Sequence, residues 1–184
     1  RDEALALGRA TLATCRRVCG DDGFATLMAL QAVASALADG GDDAAALPLF
    51  TELVSTSRRV NGPAEVGTLT ALTGLAAAHG RLGKYHLALP LYQEAVDGHR
   101  RALGAGHATT LLSMIGLCNI LSNLQEYKRS LPLKKQIVEG QRKLLGPQHP
   151  DTLRQVGELA TLHAAVGDHE AAAPLLQQQL DGFT

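Results

Sequence analysis

Tryptophan is absent from this 184-residue sequence, and aromatic residues of all kinds make up 3% of it. So few rings cannot furnish the stacking platforms that hold single-stranded nucleic acid, which argues against that class of ligand. An excess of either charge is missing too: 17 Lys and Arg face 18 Asp and Glu, so no global field draws the chain to nucleic acid or to an anionic membrane. Three cysteines make no disulfide framework, and Cys15 and Cys19, four apart on a helix, stand too far from each other for an unstrained bridge. A reducing intracellular compartment follows, the cytoplasm first, with an organelle left open. No apolar run reaches the 18 or so residues of a membrane-spanning helix, and the start, RDEALALGRATL, lacks the basic-then-apolar order of a secretory signal. Opening on Arg1 without Met, the sequence reads as a fragment, a processed product or the ordered part of something longer.

What is present is a repeat. Thr26, Thr68, Thr110 and Thr152 are 42 residues apart and each is followed by Leu; Pro48, Pro90, Pro132 and Pro174 keep the same step, as do Gly20, Gly62, Gly104 and Gly146. A period between about 20 and 50 residues means that each unit buries its apolar face only against its neighbours, so the array is a solenoid. One domain is expected over 1–184, made of a partial unit 1–25, units 26–67, 68–109 and 110–151, and an incomplete unit 152–184.

Inside each unit the hydrophobic spacing is helical. From Leu69 the apolar residues fall at 69, 72, 75, 76 and 82; Gly83-Lys84 interrupts the stripe, which resumes at Tyr85, Ala88, Leu89, Tyr92, Ala95 and Val96 and ends at Gly104, a suitable left-handed cap. Thr68 is the expected N-cap of the first helix, and Pro90 is expected early in the second, where a missing N–H is tolerated. The spacing predicts nine helices, over 2–19, 26–38, 43–60, 68–81, 85–103, 110–123, 127–145, 152–166 and 169–182.

Two helices per unit, with small residues facing each other and an aromatic near the turn, resemble the tetratricopeptide repeat. The likeness runs through Leu72, Leu75, Ala76, Gly83, Tyr85, Ala88, Tyr92 and Ala95, and through Leu30, Ala34, Gly41, Ala46 and Phe50 one unit earlier. The 42-residue length, the ALPLY segment at Ala88–Tyr92 and the LGPQHP loop at Leu145–Pro150 resemble the kinesin-light-chain type. Armadillo units of similar length have three helices, and here one Gly-centred turn divides each unit in two. The resemblance implies an all-α, right-handed α-solenoid of antiparallel helix pairs whose concave face binds protein. In that type an Asn on the groove clamps the backbone of a bound peptide; the matching positions here are Ala32, Gly74, Gly116 and Glu158. The small residues Ala32, Gly74 and Gly116 leave a broad, shallow channel suited to an inserted helix. At Ser130 and Lys134, where a small apolar residue and an aromatic are expected, looser packing is predicted.

Candidate polar contacts on the concave face are Gln31, Thr73, Arg81, Asn119, Asn123, Arg154 and Glu158. A basic ladder, Arg16-Arg17, Arg58-Arg59, Arg100-Arg101 and Arg142-Lys143, also steps by 42. Cations in the last turn of a helix are stabilised by roughly 0.3–1 kcal/mol through the helix dipole, which accounts for the ladder without a partner. Its other use is an edge for an acidic peptide or phosphate, with rungs roughly 20 Å apart, beyond the ~8 Å screening length. His79 and His163 share one repeat position, His107 and His149 another, and a solenoid holds such residues too far apart to share a metal. Gly80–Lys84 lacks the Gly, the Ser or Thr and the preceding strand of a phosphate loop, and Asp39–Asp43 lacks calcium-loop spacing. No nucleophile is paired with a base. The expected function is a non-catalytic protein-interaction scaffold with no cofactor, no metal, no nucleic-acid partner and no membrane insertion. The alternative is a spacer subunit of a large assembly that meets its neighbours through its ends and the basic ladder.

Overall fold

The computed structural model describes residues 2–183; Arg1 and Thr184, the outer limits of the expected domain, lie outside the described residues. Among the described residues there are nine helices and no strand: α1 (Asp2–Cys19), α2 (Phe24–Asp39), α3 (Asp43–Val60), α4 (Val66–Arg81), α5 (Tyr85–Leu103), α6 (Ala108–Asn123), α7 (Tyr127–Leu145), α8 (Pro150–Ala165) and α9 (His169–Phe183). The chain is an all-α, tetratricopeptide-like solenoid whose short first helices (α2, α4, α6, α8) alternate with second helices (α1, α3, α5, α7, α9). It divides inside α5 into two compact units, Arg1–Gly98 and His99–Thr184.

In the first unit α2 lies between α1 and α3, and α4 packs on α3. The core joins Leu30, Val33 and Leu37 of α2 to Phe50 and Leu53 of α3 and Leu72 and Leu75 of α4. Each such side chain taken out of water contributes about 1.5–3 kcal/mol. The Phe50 ring lies over Gly74, where an added Cβ would come within 2.4 Å of Cε1. In the second unit α8 lies between α7 and α9, and α6 packs on α7. Its interior holds Met114, Leu117, Leu121, Ile137, Leu153 and Val156.

Four helix ranges, those of α1, α3, α5 and α7, match the spacing-based expectation, and the differences gather at the start of the first helices. These begin at Phe24, Val66, Ala108 and Pro150, two residues before the threonines at which the spacing starts them, Thr68 among them as the expected cap. The N-cap residues are Gly23, Glu65, His107 and His149; Glu65 accepts the Thr68 N–H, and the Nδ1 atoms of His107 and His149 accept from the N–H two residues on. The threonines sit one turn inside and are buried. Thr26 and Thr110 donate to the carbonyls of Gly20 and Gly104, at 2.7 and 2.8 Å, tying each helix to the loop before it. Each proline is the sixth residue of its helix, where the expected ranges put it, just past the first turn. All four are exposed, so the carbonyl left without a helical partner four residues earlier faces water. Gly104 does adopt the left-handed conformation expected of it, with φ +88°.

The turn inside each unit demands a positive φ at residues 41, 83, 125 and 167. Three are glycines, at +81°, +72° and +84°, and the fourth is Gln125 at +60°. A side chain in this region costs roughly 1–2 kcal/mol, part of which is offset because glycine loses more freedom on folding. Gln125→Gly is therefore expected to stabilise the protein by about 0.5 kcal/mol, and Gly83→Gln to destabilise it by about the same or more. Equilibrium unfolding in guanidinium checks both as opposite shifts of the midpoint at constant slope.

Candidate partner-binding surfaces

On the first-helix side of the first unit, α2 and α4 flank a cavity of about 440 Å³. Phe24, Leu27 and Met28 form one wall, Val66 and Thr70 the other, and Leu53 lies at the base. Phe24 is 77% exposed and Met28 55%, an arrangement that leaves apolar surface beside an open recess. Gln31 stands on its edge, its amide donating to Ser35 Oγ at 2.9 Å. Thr73, half-buried on α4, donates to the Leu69 carbonyl at 3.0 Å. Arg81 ends α4 in a forked pair with the buried Asp43 at the start of α3, Nε lying 2.8 and 2.9 Å from the two oxygens. That carboxylate raises the Arg81 pKa and matches its charge within the chain.

The other four candidate contacts belong to the second unit. Asn119 and Asn123 are exposed on α6, the Asn123 amide donating to the Asn119 carbonyl at 2.8 Å. Exposed Arg154 reaches Asp151, one turn away on α8, at 2.8 Å. Glu158 takes part in a network that sequence patterning did not anticipate. Lys134, 2% exposed on α7, donates to Glu158 Oε2 at 2.7 Å and to Gln155 Oε1 at 2.8 Å, and the Gln155 amide donates to Glu158 Oε1 at 3.3 Å. Ser130 is fully buried, its hydroxyl 3.5 Å from the Cys118 carbonyl. Burial pushes the Cys118 thiol up, away from reactivity. At the two positions where looser packing is expected both residues are buried: Ser130 fills the small-residue site, and the polar contacts of Lys134 take the place of the ring.

The basic ladder resolves into internal rungs. Arg16 reaches Glu52 at 2.5 Å, Arg58 reaches Glu94 at 2.6 Å, Arg100 reaches Gln136 at 2.7 Å and Arg142 reaches Gln178 at 2.8 Å. Each spans 36 residues, six short of the period. Side chains lean toward the N-terminus of their helix, so an arginine meets an acceptor about 9 Å back along the next second helix. Partly exposed pairs of this kind contribute about 0–1 kcal/mol each. Of the second residues, Arg59 pairs with Asp22 and Lys143 with Glu139 at 3.1 Å, while Arg17 and Arg101 are exposed. The acceptor column, Glu52, Glu94, Gln136 and Gln178, also steps by 42, a signal the sequence carried and its reading missed.

The shared histidine position has two environments. His163, 4% exposed, meets Asp168 Oδ2 through Nδ1 at 2.8 Å; that bond and the Ala171 N–H hold the Asp168 carboxyl below its usual range. His79 has Lys84 in the place of that acid. Burial first and Lys84 second depress its pKa below the ordinary 6.5. Among the described residues no three His, Cys, Asp or Glu side chains gather where they could hold a metal ion, and Cys15, Cys19 and Cys118 are free thiols.

Two tetratricopeptide repeat models match the sequence, one over residues 1–24 and 68–109, the other over 109–184, leaving only 25–67 between them. No curated protein matches it significantly. Among solved structures, a Podosopora anserina protein of nearly identical TPR-like repeats, named for the kinesin light chain, is 23% identical. It superposes with a TM-score of 0.84 over 98% of this chain and 86% of its own. BtubC (BKLC) from P. vanneervenii gives 0.80 at 17% identity, over 98% of this chain and 72% of its own. MamA from Desulfovibrio magneticus RS-1 gives 0.65 at 16%, over 96% and 93%. At such identities the likeness speaks for the fold alone.

The Lys134 network occupies the place that Phe50, Ala71 and Gly74 hold two repeats earlier. Glu158→Gly alone leaves a buried ammonium with one neutral acceptor and is expected to cost about 2 kcal/mol. Lys134→Phe with Gln155→Ala and Glu158→Gly rebuilds the apolar interface and should return stability to wild type or above, as thermal unfolding of both variants checks. Because the folded His79 binds a proton less readily than the unfolded one, its contribution is complete above about pH 6.5 and is lost as pH falls below it. His79→Leu, the residue at position 37, should flatten the decline of melting temperature between about pH 6.5 and 5.

Proposed function

Because the chain belongs to the tetratricopeptide repeat family, we propose that it is a non-catalytic scaffold of the kinesin-light-chain-like type, seating a helix or peptide of another protein on its first-helix face. Repeats of this family generally mediate protein–protein interaction. The observation that carries the finer reading is the cavity of about 440 Å³ between α2 and α4, with Phe24 and Met28 exposed beside it. An apolar recess walled by two first helices suits a helix-in-groove mode, in which side chains spaced three and four residues apart insert from the partner. Gln31 on its edge, and Asn119 and Asn123 on α6, supply the polar contacts of this reading. Arg81 and Glu158 enter it as residues that order the surface, since each already holds an internal ion pair. No cofactor, metal or nucleic acid takes part. An intracellular, reducing location accords with three free thiols, and none of the described helices is long and apolar enough to cross a membrane.

A second reading, a spacer subunit of a larger assembly, is favoured by Leu7, 69% exposed on α1, and Leu176 and Leu180, 52% and 60% exposed on α9. The positions in α3 that match Leu176 and Leu180, held by Phe50 and Val54, are buried, and Leu49, which matches Leu7, is half-buried. Other subunits seated on these leucines are the contacts this reading requires.

A photo-cross-linking residue at Thr70, which lines the cavity and is exposed, distinguishes the two. The expected result is capture of a partner whose recovery falls at least about tenfold with Met28→Glu, since a charge set in an apolar recess costs more than 1.4 kcal/mol. Capture unaffected by Met28→Glu but lost with Leu176→Glu overturns the first reading in favour of the second.

A further inference from the structure

A groove recurs on the second-helix side of each unit. In the first it lies between α1 and α3, about 370 Å³, with Arg9 and Arg16 along it. In the second it lies between α7 and α9, about 430 Å³, with Lys135 and Arg142 in the same places and Leu159, His163 and Leu175 as its floor. Equivalent residues differ by 126 positions, three full periods, so one feature has been built twice.

The two copies differ in charge. In the first unit both rungs end on carboxylates: Arg16 on Glu52, with Asp21 also 3.6 Å from its Nε, and Arg58 on Glu94. In the second unit both rungs end on neutral amides, Gln136 and Gln178, which accept a hydrogen bond and leave the guanidinium charge unmatched. The imbalance is largest on α7, where six cations stand against Glu139 alone. Arg129 is answered by Glu126, Lys134 by Glu158 and Lys143 by Glu139. Among the described residues no carboxylate lies within ion-pair distance of Lys135 or Arg142. Asp168 feels the charge of Lys135, but its oxygens are taken by His163 and the Ala171 N–H. Glu139, the acid on the groove, is held 3.1 Å from Lys143.

We propose that the α7–α9 groove binds a short acidic segment of another protein, its carboxylates on Lys135 and Arg142 and an apolar side chain between them on Leu159 and Leu175. The two cations are seven residues apart on one helix, about 10.5 Å along its axis. A polyproline II chain advances about 3.1 Å per residue with three residues per turn, so carboxylates three residues apart lie on one face about 9.3 Å apart, within reach of both cations. A Glu-Leu-Ala-Glu segment has this form. The groove lies on the second-helix side, so this site does not rest on the first-helix reading.

The test is fluorescence anisotropy of labelled Ser-Glu-Leu-Ala-Glu-Ser against the full chain, beside the same peptide with both Glu replaced by Gln. Gln178→Glu is the informative variant: it gives Arg142 the carboxylate that Arg16 and Arg58 already have and removes no cation. The acidic peptide is expected to bind at least about tenfold more tightly than the amide peptide, and to weaken steeply between about 50 and 500 mM salt. Gln178→Glu and Lys135→Gln should each lower its affinity about fivefold with melting temperature retained, while Arg9→Gln and Met28→Glu leave it within about twofold. Equal binding of the two peptides, or a Gln178→Glu protein that binds as wild type does, overturns the proposal. So does loss of binding with Met28→Glu, which would move the acidic segment to the first-helix face, and so does binding to phosphatidylserine vesicles with none to the peptide.

Discussion

The first helices of this protein cannot stand at a surface on two sides. In the first unit α2 is enclosed by α1 and α3, and in the second α8 is enclosed by α7 and α9. A helix buried from both directions needs a second helix before it and another after it. That requirement, met again at each step, is what turns a repeated sequence into a stacked array. The second helices carry the opposite pattern, one apolar stripe inward and a charged face outward, and so form the side of each unit on which arginines can be strung.

Packing between repeats is a match of volumes, and the match can be made in different chemistry. Phe50 covers Gly74 where a Cβ would collide with the ring, an arrangement that works because one side is large and the other has no side chain. Two repeats on, the buried Lys134 fills the same space and pairs with the half-exposed Glu158, and Gln155 takes a further hydrogen bond. A charge in such a place is tolerated only when each of its partners is present, so this interface depends on three residues changing together. The apolar version is forgiving of small changes in shape. The polar version fixes register.

The outer side obeys a different constraint. Each rung arginine must find an acceptor, and geometry sets which residue that is, but a carboxylate and an amide satisfy the bond equally while leaving opposite charge balances. Glu52 and Glu94 neutralise their rungs; Gln136 and Gln178 do not. One repeated contact thereby gives a balanced face in the first unit and a positive one in the second.

Much of this was legible in the residues themselves. The 42-residue step, the helical stripes and the left-handed glycines are local properties, set by periodicity and backbone sterics, and they place α1, α3, α5 and α7 over the ranges the spacing predicts. The first-helix starts slipped by two residues because the caps differ in each repeat, Gly23, Glu65, His107 and His149, while the conspicuous Thr serves as an anchor one turn inside. That slip hid Phe24 in a loop and with it the apolar recess beside α2. The hydrogen-bond partners of Arg16, Arg58, Arg81 and Lys134 lie 21 to 38 residues away in sequence. Sequence by itself determined the repeat and its helices, since those depend on neighbours along the chain. Only the tertiary structure decided which side chains are spent inside the protein and which face outward, because that choice rests on distances between repeats that no residue type encodes alone.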